Sequence, residues 1–267
     1  MPFECPIQFR PITESEFKKL DYEVMRHAFA SHNHLGRLCD EAVYRNDLAA
    51  RLHASGIGPL HCEVPLLASH RDFRKRLYVD LAIADTVLFE LKAVQALTGD
   101  HDKQILTYLF IACATRGKLV NFRPASVEYR TVNATVSSEE QRRFDFVTSR
   151  WIDVDERSAF LRQHLRELLD DWGMFLALSL YEEALTHFLG GENAVLRRVP
   201  LSRDGLPLGD QFVHLLGETI GFHLTAFDDA VEQGESHVRR FFSLTPMQFL
   251  NWIKFSNHRI DLVTLKK

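Results

Sequence analysis

The sequence contains few cysteines, and their spacing matches no disulfide or zinc framework. Cys5, Cys39, Cys62 and Cys113 are scattered through 267 residues without a C-x-x-C pair. Such spacing is typical of free thiols in a reducing compartment. We therefore expect a cytoplasmic protein whose core forms without disulfides or structural metal.

The sequence also lacks a large excess of charge of one sign and any long apolar run. With 32 basic and 36 acidic residues its formal net charge is −4, so contact with nucleic acid must be local. The longest apolar runs, near 109–114 and 174–180, are too short to cross a bilayer, and residues 1–17 do not resemble a signal peptide. We expect neither export nor a membrane partner.

What is present is the composition of a soluble globular protein. Hydrophobic residues make up 46% of the chain and charged residues 25%. The length is enough for one large domain or for two of roughly 130 residues each.

The order of periodic segments predicts an α/β protein. Helical spacing covers 14–53, and a hairpin of two strands covers 77–83 and 86–92. A helix over 103–115 and a buried strand over 118–122 follow. A polar connector over 133–155 then leads to a second helical stretch over 156–189.

The second half repeats the first in weakened form. A shift of 137 relates Gly36 and Tyr44 to Gly173 and Tyr181, and a shift of 133 relates Phe122 to Phe255. The predicted domains are therefore 1–132, a connector over 133–155, and a degenerate repeat over 156–267. Chance agreement between two α/β patterns is the alternative.

Three charged residues of the hairpin are the first candidate site. If the turn is a three-residue loop at 84–86, Asp80 lies opposite Glu90, whereas a two-residue turn moves the partner of Asp80 by one residue. Lys92 projects from the same face as Glu90. These residues lie in apolar strands, where unpaired charges are costly, and a divalent cation would compensate the carboxylates. The alternative is a partly solvated salt-bridge cluster on an open sheet face.

Three further residues can join this group. Glu41 lies three residues before Tyr44 on one helix face, and Gln104 and Tyr108 share a face of the next helix at spacing i, i+4. Taken singly, Glu41 could equally be an ordinary surface glutamate, and Gln104 could equally be an ordinary glutamine on a helix face.

In order and spacing these motifs resemble the GxxExxY family of the PD-(D/E)XK nuclease superfamily. The matching segments are LGRLCDEAVY at 35–44, VD at 79–80, FELKAV at 89–94, QILTY at 104–108 and LVNF at 119–122. The resemblance implies a restriction-endonuclease-like α/β core, a central mixed sheet flanked by helices, over residues 14–130.

The resemblance also implies a Mg²⁺ site, with Mn²⁺ as a substitute. Asp80, Glu90 and the Leu91 carbonyl would bind the metal, and Glu41 would add a ligand directly or through water. Lys92 would orient the attacking water or stabilise the phosphate charge. Gln104 and Tyr108 would hold the lysine or the DNA backbone.

We therefore predict a metal-dependent nuclease acting on DNA rather than RNA, with its active site in the N-terminal half. Arg74, Lys75, Arg76 and Tyr44 are the predicted nucleic-acid contacts, although the basic residues could equally be a charged loop. A protein partner or a second copy of the chain could deliver the substrate. A binding module that retains the nuclease fold without catalysis is the alternative.

The second half lacks the candidate metal-binding and catalytic residue types at the equivalent positions. The shifts carry Asp80, Glu90 and Lys92 to Val213, His223 and Thr225, and they carry the other three candidates to Leu178, His237 and Phe241. This predicts a pseudo-nuclease domain that cannot bind Mg²⁺ in the same way. It could support the first half in a dimer-like arrangement, or offer a nucleic-acid surface whose basic residues lie beside aromatic ones: Arg239, Arg240, Lys254, His258 and Arg259 with Phe241, Phe242 and Trp252. An ordinary core and solvated face is the plainer interpretation.

Overall fold

The computed structural model describes residues 2–226 and 231–267, and the chain divides into two compact units. The units are Met1–Ser137 and Ser138–Lys267. None of the helices in the described part of the chain combines the length and apolarity needed to cross a membrane.

The first unit is a mixed sheet with helices. Its elements in chain order are β1 Phe3–Glu4, α1 Glu14–Leu35, α2 Glu41–Ala54, β2 Leu60–His70, β3 Phe73–Ile83, β4 Val87–Lys92, α3 Gly99–Ala112, β5 Arg116–Asn121 and β6 Glu128–Asn133. The described strands are arranged in the order β1-β2-β3-β4-β5-β6, with β4 and β5 parallel and the other neighbours antiparallel.

Helices cover both faces of this sheet. Leu48 of α2 packs in one core cluster with Phe89 of β4 and Val120 of β5. Ile105 of α3 packs in another cluster, with Leu119 of β5. Because neighbouring residues of a strand point to opposite faces, α1 and α2 lie on one face and α3 on the other.

The helical pattern over 14–53 forms two helices rather than one. Gly36 ends α1 with φ 72° and ψ −150°, a conformation that a side chain would strongly disfavour. The pattern over 156–189 is likewise divided at Gly173, where φ is 75°. The apolar periodicity continues across both breaks, so periodicity alone did not reveal them.

The second unit is also a mixed sheet with helices. Its elements are α4 Ser138–Gln141, β7 Asp145–Arg150, α5 Glu156–Trp172, α6 Leu178–Phe188, α7 Glu192–Val195, β8 Leu196–Arg203, β9 Leu206–Leu215, β10 Ile220–Thr225, α8 Val231–Leu244, β11 Phe249–Ser256 and β12 Arg259–Lys266. Its described strands follow the order β7-β12-β11-β10-β9-β8. β7 pairs with β12, so part of the predicted connector 133–155 is a strand of this sheet.

The two units share the order of their main helices and of five sheet strands, although β1 pairs with β2 whereas β7 pairs with β12. They also share the register of their central parallel strands. In the first, Lys92 of β4 pairs with Asn121 of β5, and in the second Thr225 of β10 pairs with Lys254 of β11. Each residue of the second pair lies 133 positions after its counterpart in the first pair. This register agrees with the internal similarity of the sequence from the hairpin onward.

A buried tyrosine closes the helix pair in each unit. The Tyr44 hydroxyl donates to the Gly36 carbonyl at 2.7 Å, and the Tyr181 hydroxyl donates to the Gly173 carbonyl at 2.6 Å. The shift of 137 therefore relates equivalent hydrogen bonds as well as equivalent residue types.

Candidate active site

The hairpin places its three charged residues together in the first unit. The β3–β4 register pairs Leu81 with Phe89, as a three-residue turn requires. Continued by one residue, the same register sets Asp80 opposite Glu90. Asp80, Glu90 and Lys92 are only 6%, 3% and 8% exposed, so they form a buried charged cluster.

This cluster lies on the α3 side of the sheet. Glu90 and Lys92 alternate along β4 with Phe89 and Leu91, which belong to the core under α1 and α2. The two charged side chains therefore point to the opposite face of the sheet, which α3 covers.

Two donors hold the carboxylate of Asp80. The Leu91 backbone N–H donates to Asp80 Oδ2 at 2.8 Å, and Arg45 Nη1 donates to Asp80 Oδ1 at 3.1 Å. Arg45 also pairs with Glu63 at 3.0 Å. The position of Asp80 is thus set both by its neighbouring strand and by α2.

Glu90 is only partly satisfied. Lys92 Nζ donates to Glu90 Oε1 at 2.7 Å, whereas Glu90 Oε2 is buried without a hydrogen-bond partner. Burial and the nearby charge of Asp80 raise the pKa of Glu90 to about 8, against the opposing effect of Lys92. A cation at this oxygen would remove the cost of leaving it unpaired.

Lys92 and Glu41 belong to the same electrostatic group. Burial alone would lower the pKa of Lys92, but the charges of Glu90, Glu41 and Asp80 together raise it. Burial raises the pKa of half-buried Glu41, and Lys92 and Asp80 act on it in opposite directions. Lys92 therefore remains a cation among three acids.

Gln104 and Tyr108 contact each other on α3. Gln104 Nε2 donates to the Tyr108 hydroxyl at 2.8 Å, whereas the amine of Lys92 donates to Glu90. Burial, followed by the charge of Glu90, raises the pKa of Tyr108 above its usual range. The hydroxyl therefore keeps its proton beside the acidic cluster.

The donor set suits a hard divalent cation. Carboxylate oxygens of Asp80, Glu90 and Glu41 and the carbonyl of Leu91 are ligands that Mg²⁺ prefers, and one Glu90 oxygen is unpartnered. Within 2–226 and 231–267, however, no three His, Cys, Asp or Glu side chains converge as a metal-binding group. Arg45 and Lys92 occupy carboxylate oxygens that a cation would use.

Arg45 is the site residue that the sequence analysis missed. It lies four residues after Glu41 on α2, the spacing that puts two side chains on one helix face. That spacing was the available signal, but only the packing of α2 against the sheet shows that Arg45 reaches Asp80.

The prediction that Tyr44 contacts nucleic acid was wrong. Its side chain is fully buried, its ring stacks on Phe122 at 4.5 Å, and its hydroxyl is bonded to Gly36. Arg74 and Arg76 are exposed on β3 and Lys75 between them is half-buried, so these three remain predicted contacts.

The aromatic and basic residues of the second unit do not form one surface. Phe242, Trp252 and Lys254 are buried, as the plainer interpretation predicted. Arg259 pairs with Asp261, and Arg239 pairs with Glu235.

Comparison with known proteins identifies the fold of the first unit. Residues 18–132 match the PD-(D/E)XK nuclease superfamily. The mixed sheet flanked by helices agrees with the PD-(D/E)XK fold, and the candidate site lies inside the matched segment, which is less than half of the chain. A search of curated proteins finds no match.

Among solved structures, the crystal structure of SSO0001 is similar to part of the chain. The two are 20% identical with a TM-score of 0.32, and the alignment covers 47% of this chain and 61% of the other. The chain thus spans about three fifths of the length of that protein.

Proposed function

We propose that the first unit is a metal-dependent nuclease that hydrolyses phosphodiester bonds, with DNA as the preferred substrate. The observation that carries this proposal is the unpartnered, buried Glu90 oxygen beside Asp80 and Lys92, inside the segment that matches the PD-(D/E)XK nuclease superfamily. Carboxylates can hold the cation that assists phosphodiester hydrolysis, and an adjacent lysine can stabilise the developing phosphate charge.

Asp80, Glu90, Glu41 and the Leu91 carbonyl would hold Mg²⁺, with Mn²⁺ as a substitute. The bound ion supplies Lewis acidity to the phosphoryl group and lowers the pKa of water. Arg45 and Leu91 each donate to one Asp80 oxygen, so the ion would use the remaining lone pairs of that carboxylate or displace Arg45 from Oδ1.

The remaining residues supply charge and orientation. Lys92 stays protonated because its pKa is raised, so its amine can donate to the attacking water or to the developing phosphate charge. Tyr108 keeps its hydroxyl proton, and Gln104 fixes the direction of that hydroxyl. Tyr108 can then donate to a phosphate oxygen.

We further propose, from the motif at 35–44, that the first unit belongs to the GxxExxY family, and that Arg74, Lys75 and Arg76 contact the phosphate backbone. The second unit is a degenerate duplicate, which the common strand register and the paired tyrosine bonds support. A protein partner or a second copy delivers the substrate.

A non-catalytic binding module is the second candidate. Arg45 already pairs with Asp80 and Lys92 with Glu90, so the acids are largely neutralised without a metal. In a protein that only binds its partner, these two ion pairs would be enough to compensate the buried acids, and no metal would be needed.

The test is cleavage of plasmid, linear duplex, single-stranded DNA and RNA with Mg²⁺, Mn²⁺ or EDTA. We expect metal-dependent cleavage that falls by about 100-fold or more in Glu90→Gln and Lys92→Ala. Glu23→Gln and Lys103→Ala change the same residue types at exposed helix positions and should cleave normally.

Undiminished cleavage by Glu90→Gln would overturn the assignment of the site. Folded wild-type protein that neither cleaves nor binds Mn²⁺ in calorimetry would favour the binding module. Mn²⁺ binding without cleavage would leave the metal site standing and point to a missing partner.

A further inference from the structure

The second unit has a hollow at the position of the first unit's acidic cluster. Its volume is about 310 Å³, within the range of small-molecule pockets. Six of its lining residues carry the argument: Glu182 of α6, Gln211, Phe212 and His214 of β9, His223 of β10 and Phe241 of α8.

The strand register of the two units relates this hollow to the buried charged cluster of the first unit. Glu90 pairs with Leu119 across parallel strands, and His223 pairs with Trp252 at the equivalent place. Glu182 follows Tyr181 as Arg45 follows Tyr44, so the charge at this helix position is reversed. The hollow therefore has polar groups that differ from those of the first unit.

These groups do not suit a metal or a phosphate. No group of three His, Cys, Asp or Glu side chains among the described residues could hold a metal ion, and this includes Glu182 with the two histidines. The described residues that line the hollow include no lysine or arginine. An anionic ligand would instead meet the carboxylate of Glu182.

The polar groups do suit the edge of a heteroaromatic ring. Glu182 Oε1 lies 3.4 Å from His214 Nδ1, and Gln211 adds an amide. Burial lowers the pKa of His214 and of His223, so both imidazoles are neutral near pH 7. A neutral imidazole presents one donor and one acceptor.

The apolar groups suit the faces of such a ring. Phe212 is 59% exposed although it borders the hollow, and Arg198 lies over its ring at 5.5 Å. Phe241 lies 6.4 Å from the His223 ring. Exposed aromatic rings beside a hollow are the usual platform on which bases stack.

We propose that this hollow binds an unpaired nucleobase, with its faces against the phenylalanine rings and an exocyclic amino group donating to Glu182. Adenine, cytosine and guanine carry such a group. Thymine and uracil carry carbonyl oxygens there, which a carboxylate repels. The base can belong to a single strand or to a free nucleoside. Binding does not depend on the proposed cleavage.

The test uses the full chain in EDTA, so that cleavage cannot interfere. Fluorescence polarisation is measured with labelled oligonucleotides of about 12 nucleotides, made only of deoxyadenosine, deoxycytidine or thymidine. We expect deoxyadenosine and deoxycytidine strands to bind at least about fivefold more tightly than thymidine strands. Phe212→Ala should weaken binding about tenfold, and Glu182→Gln should remove the preference between bases.

Matched controls are available nearby. Leu208→Ala removes a comparably exposed apolar side chain from β9, and Glu183→Gln removes the next carboxylate of α6. Both should bind as the wild type does. Competition with adenosine separates the two sources: displacement at millimolar adenosine indicates a free nucleoside site, and its absence indicates a strand.

Binding that is undetectable, or that is unchanged in both Phe212→Ala and Glu182→Gln, overturns the proposal. If the base preference holds but the protein neither cleaves nucleic acid nor binds Mn²⁺, the nuclease proposal fails alone. If cleavage occurs without a base preference, the nucleobase site fails alone.

Discussion

At the scale of single residues, the site is balanced by pairs of opposite charge. Arg45 pairs with Asp80 and Lys92 donates to Glu90, which leaves one Glu90 oxygen without a partner. Burial, followed by the charge of Asp80, raises the pKa of Glu90. Most of the polar atoms of these side chains are therefore paired without a metal, while a bound cation would still stabilise the unpaired Glu90 oxygen.

Removing Arg45 should shift this balance toward metal binding. Arg45→Met leaves Asp80 with only the Leu91 N–H as donor, so the metal-free protein should lose about 3 kcal/mol of stability. Mn²⁺ should then raise the melting temperature more in the variant than in the wild type. Thermal unfolding in EDTA and in Mn²⁺ measures both effects.

Arg51→Met is the matched control for this experiment, because Arg51 lies on the same helix and pairs with Asp47. An equal Mn²⁺-induced rise in wild type and Arg45→Met would show that Arg45 does not compete with the metal.

At the scale of elements, an ion-pair network ties α8 to β7. Glu235 accepts two bonds from Arg150, both at 2.8 Å, and a third at 2.8 Å from Arg239. The bidentate bond from Arg150 is the largest cause that lowers the pKa of Glu235 to about 2. β7 lies within the segment that the sequence analysis treated as a connector.

This network predicts a pH dependence of stability. Because the folded pKa of Glu235 is depressed, its contribution is complete above its unfolded pKa, near 4.5, and is lost as the pH falls toward 2. Glu235→Gln should cost about 1 to 2 kcal/mol at pH 7, since both arginines are half exposed. The difference in melting temperature from wild type should narrow between about pH 5 and pH 3.

Glu218→Gln, at an exposed position before β10, serves as the control and should match the wild type throughout. A stability difference for Glu235→Gln that stays constant across this pH range would argue against the network.

At the scale of the whole molecule, each unit has its own hydrophobic core. The first is built around Phe89, Val120 and Leu48, and the second around Trp252, Phe242 and Leu250. Units of about 130 residues are large enough to fold alone.

We therefore expect residues 1–137 and 138–267 to fold when expressed separately. Circular dichroism and cooperative thermal unfolding measure this, and the first fragment should retain the Mn²⁺-induced stabilisation. An unfolded or aggregated fragment would show that its core depends on the other half of the chain.

Local patterns in the sequence predicted part of the geometry of the candidate site. The alternation of side chains places Glu90 and Lys92 on one face, and the i, i+4 spacing places Gln104 and Tyr108 together. The meeting of Asp80 with Glu90 also needed a three-residue turn, which was one of two turn lengths that the sequence allowed and which the strand register shows. The first two relations depend only on neighbouring residues, so they can be predicted before the tertiary structure is known. The matching shifts of 137 and 133 likewise predicted the repeated element order.

Only the tertiary structure decided the contacts between distant segments. Arg45 reaches Asp80 because α2 packs on the sheet, Tyr44 is buried under Phe122 rather than facing a substrate, and β7 joins β12 across more than 100 residues of sequence. The hollow beside His223 arises in the same way, from five elements that meet in space: α6, β9, β10, α8 and β11. Such contacts depend on which faces pack together, and no local periodicity records that choice.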